Sequence, residues 1–110
     1  MGAGEGEDDD SRKEISLIIT REAEADLLET FAYYEEQEAG LGTEFSRAAD
    51  ACIQAIVRSP KAYQIVHNGI RRAALRRFPY SVFFVLNLSS VVVVGCLHAS
   101  RHPKEWRRRG

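Results

Sequence analysis

Residues 70–99, IRRAALRRFPYSVFFVLNLSSVVVVGCLHA, decide the fold, because apolar residues that recur every three or four positions before Pro60 here recur every second position. Ile70 to Phe78, Tyr80 to Leu88 and Val91 to Ala99 read as three strands, joined by turns at Pro79 and at Ser89-Ser90, and such short links imply an antiparallel meander. Asn68-Gly69 is a two-residue hairpin signal, so Tyr63 to Val66 adds a short strand in front of the meander.

Upstream, Thr20 is a candidate helix N-cap, and Glu22, Glu24 and Asp26 put negative charge where the helix dipole favours it. Ala23, Leu27, Phe31 and Tyr34 form an apolar stripe that ends at Gly40. A second helix follows Leu41-Gly42, with Phe45, Ala49, Cys52, Ile53 and Ile56 on one face, Arg47, Gln54 and Arg58 on the other, and Ser59-Pro60 as its stop. Ile15 to Ile19 is short and rich in β-branched residues, which predicts a first strand, central or half-buried. The order β-α-α-β-β-β gives an α+β fold of two layers, a helical hairpin packed on a mainly antiparallel sheet of four or five strands. Residues 14–110 form this domain, whereas residues 1–13, Gly-rich with an acidic run from Glu7 to Asp10, offer nothing to bury and are expected to be disordered.

With 45% hydrophobic residues in 110, the chain can bury a core without metal or disulfide support. Its longest apolar stretch falls far short of the roughly 20 residues that cross a bilayer. The start lacks a secretion signal and the two cysteines sit in apolar segments, so the cytoplasm is the expected compartment. The net charge of −1 hides an asymmetry: 5 basic and 15 acidic residues stand through Pro60, 10 basic and 1 acidic after it. That balance permits a polyanionic or acidic partner for the second half, and equally an ordinary soluble domain with one acidic and one basic face.

Several segments together resemble one family. Ala23-Glu24-Ala25-Asp26-Leu27 opens the first helix and Tyr34-Glu35-Glu36-Gln37 closes it. Gly40-Leu41-Gly42-Thr43-Glu44-Phe45, Gly69-Ile70-Arg71-Arg72, Arg76-Arg77-Phe78-Pro79-Tyr80 and Leu97-His98 with Arg101, Pro103 and Trp106 follow in order. This series, from about Ile15 to Trp106, is similar to the ParE branch of the ParE/RelE toxin superfamily, often called plasmid stabilisation proteins. The resemblance implies the toxin of a toxin–antitoxin pair that inhibits growth and is neutralised by a cognate antitoxin. It implies one of two actions, since ParE-like members bind and block DNA gyrase and RelE-like members cut messenger RNA on the ribosome; a non-toxic binding module of the same fold is the third reading, because fold alone does not fix activity. The acidic first 14 residues lie outside the pattern.

The two actions demand different residues. Cleavage through the RNA 2′-hydroxyl needs a base, an acid and cations around the phosphate. After Pro60 the only carboxylate is Glu105, so a nuclease must use His98 or His102 as base, with Arg76, His98 and Arg101 as the candidate set. RelE-type ribonucleases concentrate Lys and Arg on the sheet with a Tyr or His near the C-terminus, and this chain matches only the Arg part. His98 is in phase with Val92, Val94 and Cys96, which also fits a partly buried structural histidine.

Arg71 and Arg77 share one strand face with Ala73 and Leu75, Arg72 and Arg76 the other with Ala74 and Phe78, and both faces cannot be core. These arginines either lie over apolar surface and pair with helix acids such as Glu35 or Glu44, or form a contact surface. Tyr33 points away from the apolar stripe and is a candidate interface anchor. The candidate target- or antitoxin-binding set is therefore Tyr33, Arg71, Arg72, Arg76, Arg77, His98, Arg101, His102, Lys104 and Trp106. Cys96 and His98 with a remote Cys52 do not make a usual zinc spacing, no phosphate loop or nucleophile elbow is present, and no cofactor is needed.

Overall fold

The computed structural model describes residues 15–110; the expectation of disorder for residues 1–13 falls outside them. Strand β1 (Ser16–Ile19) leads through Thr20 into helix α1 (Arg21–Gln37). The Thr20 hydroxyl accepts a hydrogen bond from the Ala23 N–H at 3.1 Å, the expected cap. Gly40 takes a left-handed φ of 92° and turns the chain into α2 (Leu41–Arg58). There Glu35 does not pair with an arginine: its carboxylate accepts from the N–H groups of Gly40 and Gly42, each at 2.9 Å, and satisfies the open N-terminus of α2.

After a 3-10 turn at Pro60–Ala62 come β2 (Ile65–His67), β3 (Ile70–Ala74), β4 (Tyr80–Leu86) and β5 (Ser90–His98), then the short helix α3 (Lys104–Arg107). Asn68 and Gly69, at φ 42° and 81°, make the β2–β3 turn that the Asn-Gly pair predicts. The five strands lie in the order β1-β5-β4-β3-β2, antiparallel except for β1, which runs parallel to β5. The fold is α+β, with the helical hairpin on one sheet face.

Three expectations need correction. Strand β1 is neither central nor half-buried: it is an edge, and Leu17 and Ile18 are exposed. The strand expected over Ile70 to Phe78 stops at Ala74, because the chain turns at 75–79 and Arg77 adopts a left-handed φ of 67°. Both sheet faces are also core in part. Phe45, Ile53, Ile56, Val82, Phe84, Val91 and Val93 fill the helix side, while Ile70, Phe83, Val94, Leu97 and Trp106 form a second cluster under the C-terminal segment.

Phe45 is the aromatic centre of the packing between the helical hairpin and the sheet. It is fully buried, and its ring lies 5.4 to 5.7 Å from those of Tyr34, Phe78 and Tyr80.

Candidate functional site

The geometry of β5 sets the candidate site. Opposite Phe83 and Phe84 the register slips by one, so that Val94 and Gly95 together face Phe83. A bulge of this kind puts one extra residue in a strand and reverses the inward and outward sense of everything after it. Val92 and Val94 therefore face the C-terminal segment, but Cys96 and His98 face the helices. His98 thus shares its face with Cys96, not with Val92 and Val94 as strict alternation implies.

Strand β1 ends opposite Val93, so β5 has no strand neighbour on that side from Val94 onward. Two side chains take the place of the missing strand. Asp26 of α1 accepts the Cys96 N–H at 3.0 Å, and Arg109, from beyond α3, donates to the Val94 carbonyl at 3.1 Å. The two meet at 2.6 Å, with side chains only 11% and 7% exposed. An edge with unpaired backbone groups invites foreign strands, and this ion pair closes it. Gly95 makes the approach possible: a Cβ there would lie 2.7 Å from Arg109 Nη1. Gly95→Ala is expected to displace the guanidinium and destabilise the protein by about 1–3 kcal/mol, as overfilled sites do. Thermal unfolding checks this, and an unchanged melting temperature would remove the bulge glycine from the account.

Above this pair a cleft of about 280 Å³ opens between α1 and the end of β5, lined by Asp26, Glu29, Thr30, Tyr33, Tyr80, Cys96, Leu97, His98 and Arg101. Tyr33 lines it and is 56% exposed. The His98 ring stands edge-on to Tyr80 at 5.1 Å. Its Nδ1 accepts the Ser100 N–H at 2.9 Å, and His102 Nδ1 likewise accepts the Lys104 N–H at 3.1 Å. Nδ1 of each ring is thereby engaged by the backbone. Arg101 is tied to Glu105 at 3.1 Å, and Arg108 also reaches that carboxylate at 3.8 Å.

Arg76 is not part of this cleft. With Arg77 and Arg47 it borders a separate groove of about 830 Å³ between α2 and β3, floored by Ala48, Ala51, Cys52, Ala55 and Ala74 and closed by Tyr63. Arg77 pairs with Glu44 at 3.5 Å, one of the helix acids expected for it. Arg71 turns inward and donates to the Tyr63 carbonyl at 2.7 Å. Arg72 is exposed on the face that α3 partly covers. Arg76 and Arg77 sit in the 75–79 turn, so the strand-face pairing expected for them does not hold.

Lys104 and His102 are exposed, but Trp106 is 8% exposed and stacked on Phe83, with ring centroids 4.7 Å apart and planes at 13°. It is core, not a free aromatic anchor. Sequence reasoning missed Asp26 and Arg109. Asp26 stands three residues after Ala23, in phase with the apolar stripe, and a carboxylate in such a place needs a partner; nothing in the sequence says that the partner is 83 residues away.

Burial pushes the Cys52 thiol up to about 11, and burial with the nearby Asp26 pushes Cys96 up to about 12, so both stay protonated and unreactive at neutral pH. Among the described residues no helix is long and apolar enough to cross a membrane, and no three His, Cys, Asp or Glu side chains gather as a metal site.

No protein-family model matches the chain, and no curated protein matches it. Among solved structures it superposes on a chain of the chromosomal ParDE TA (toxin–antitoxin) system from P. aeruginosa, with a TM-score of 0.71. The fold is ParE/RelE-like. The superposition covers 78% of this chain and 97% of the other at 18% identity, and thus places the ParE-like architecture on a largely different sequence.

Proposed function

We propose that this protein is the toxin of a type II toxin–antitoxin pair, acts by binding and blocking DNA gyrase, and is neutralised by a cognate antitoxin. The shared fold supports the toxin reading. Two observations favour a binding action over RNA cleavage, the first being that Nδ1 of each of the two histidines accepts a backbone N–H and is not free to act as the base. Arg76, required beside His98 and Arg101 by the ribonuclease reading, borders a different groove. The cleft then recognises its target through Tyr33, Tyr80 and Arg101, an aromatic and donor set suited to a protein surface. The groove with Arg47, Arg76 and Arg77 on its rim suits an acidic antitoxin segment.

Removing the tail from Arg101 onward cannot test target contact, because it strips Trp106 and Arg109 from the core. Point variants can. His98→Ala is expected to keep most inhibition of gyrase supercoiling, whereas Tyr33→Ala weakens it. Wild-type protein that leaves supercoiling untouched but cuts ribosome-bound RNA, with cleavage falling about 10²- to 10⁴-fold in His98→Ala, would replace this reading with a ribosome-dependent ribonuclease.

A further inference from the structure

The cations of the second half do not spread evenly; three of them converge around one buried aromatic pair. Arg72 is the cross-strand neighbour of Phe83, Phe83 stacks on Trp106, and the Arg107 guanidinium lies 5.7 Å over the Trp106 ring. Lys104 projects from the same turn of α3. Among the described residues no acid pairs with Arg72, Lys104 or Arg107, and the one carboxylate nearby, Glu105, is engaged by Arg101 and Arg108. Four of the acids of α1 and α2 are engaged by Arg77, Arg108, Arg109 and the α2 N-terminus, none of them by these three cations.

We infer that this face, built on Arg72, Lys104 and Arg107, binds the phosphate backbone of duplex DNA without reading sequence. Phosphate recognition needs exposed guanidinium and ammonium groups, and these three are exposed. Single-strand binding needs open aromatic faces on which bases stack. The aromatic ring here is shut in by Phe83 beneath, Arg107 above and His67 at its side, 6.4 Å away. The face therefore suits a duplex, whose bases are already stacked. The choice of DNA over duplex RNA rests on the proposed action at gyrase, an enzyme that holds DNA; the charge cluster itself does not depend on it.

Fluorescence anisotropy of the full chain against a 20-base-pair DNA duplex, the same length of single strand and an RNA duplex tests this between about 50 and 200 mM salt. The expected result is a dissociation constant of about 10⁻⁴ to 10⁻⁶ M for duplex DNA, with log K falling with log salt at a slope of about −3, three phosphates at −0.9 each. Lys104→Glu with Arg107→Glu should weaken binding at least about tenfold and flatten the slope by about 2. Arg72→Gln, remote from α3 in sequence, should flatten it by about 1 and guards against a variant that disturbs Trp106. No duplex binding at 50 mM salt, equal binding by every folded variant, or preference for single strand or duplex RNA each overturns the inference. Supercoiling assays on the same variants keep the two readings apart: intact gyrase inhibition without DNA binding sinks this inference alone, and DNA binding without gyrase inhibition sinks the proposed target alone.

Discussion

Asp26→Ala is expected to cost about 3–5 kcal/mol, the usual loss when one partner of a buried ion pair is removed and the other charge is stranded. Two interactions disappear together. The Cys96 N–H loses its acceptor, Arg109 loses the carboxylate 2.6 Å away, and the β5 edge from Val94 onward is left with only the arginine against it. The acid left beside Arg109 is Glu22, an exposed carboxylate 3.9 Å from Nε, which itself makes no hydrogen bond. A domain of this size has about 5–15 kcal/mol in total, so the variant should sit close to unfolding at 37 °C. Urea denaturation measures the loss. Arg109→Met, which keeps a flexible apolar stem and removes the charge, should also destabilise, and the double variant should lose less than the two singles together. Additive losses would mean that the pair is not coupled and that the edge is held by other contacts.

Phe45→Ala is expected to cost a similar amount, about 3–5 kcal/mol, by a different mechanism. The ring is wholly buried among Tyr34, Phe78 and Tyr80, each contributed by a different element. Deleting it opens a cavity where α1, α2, the 75–79 turn and β4 meet, and rigid walls from four elements cannot collapse into it. Because Tyr80 also lines the cleft with His98, the loss should extend to target binding in whatever fraction remains folded. Phe45→Leu should recover much of the stability. A loss under about 1 kcal/mol for Phe45→Ala would show that the hairpin is held chiefly by contacts nearer β5.

Much of the fold was legible because the cues are local. The Thr20 cap, the Phe45-Ala49-Ile53-Ile56 face and the Asn68-Gly69 turn follow from side-chain chemistry within a few residues and stand where the sequence predicts them, and the meander keeps its predicted order with shifted strand ends. The site was legible in composition more than in place. Tyr33, His98 and Arg101 do line one cleft, but Arg76 belongs to another groove and Trp106 to the core.

The errors share a physical origin. Strict alternation put His98 with Val92 and Val94, and one extra residue at Val94-Gly95 moved it to the other face. Alternation carried β3 through Arg77, and a left-handed residue in the 75–79 turn ended it sooner. A strand rich in Ile and Leu reads as central, yet β1 is an edge, because strand order depends on which partner β5 accepts.

The sequence by itself determined the elements from β1 to β5, their order, the α+β class and the positive charge of the second half, since periodicity, capping and turn chemistry act over a few residues. Only the tertiary structure decided that Asp26 and Arg109 close the β5 edge, that Trp106 is buried, and that Nδ1 of each of His98 and His102 is occupied. Those depend on contacts between residues distant in the chain or on the path of the backbone at a bulge or turn, which no local pattern records.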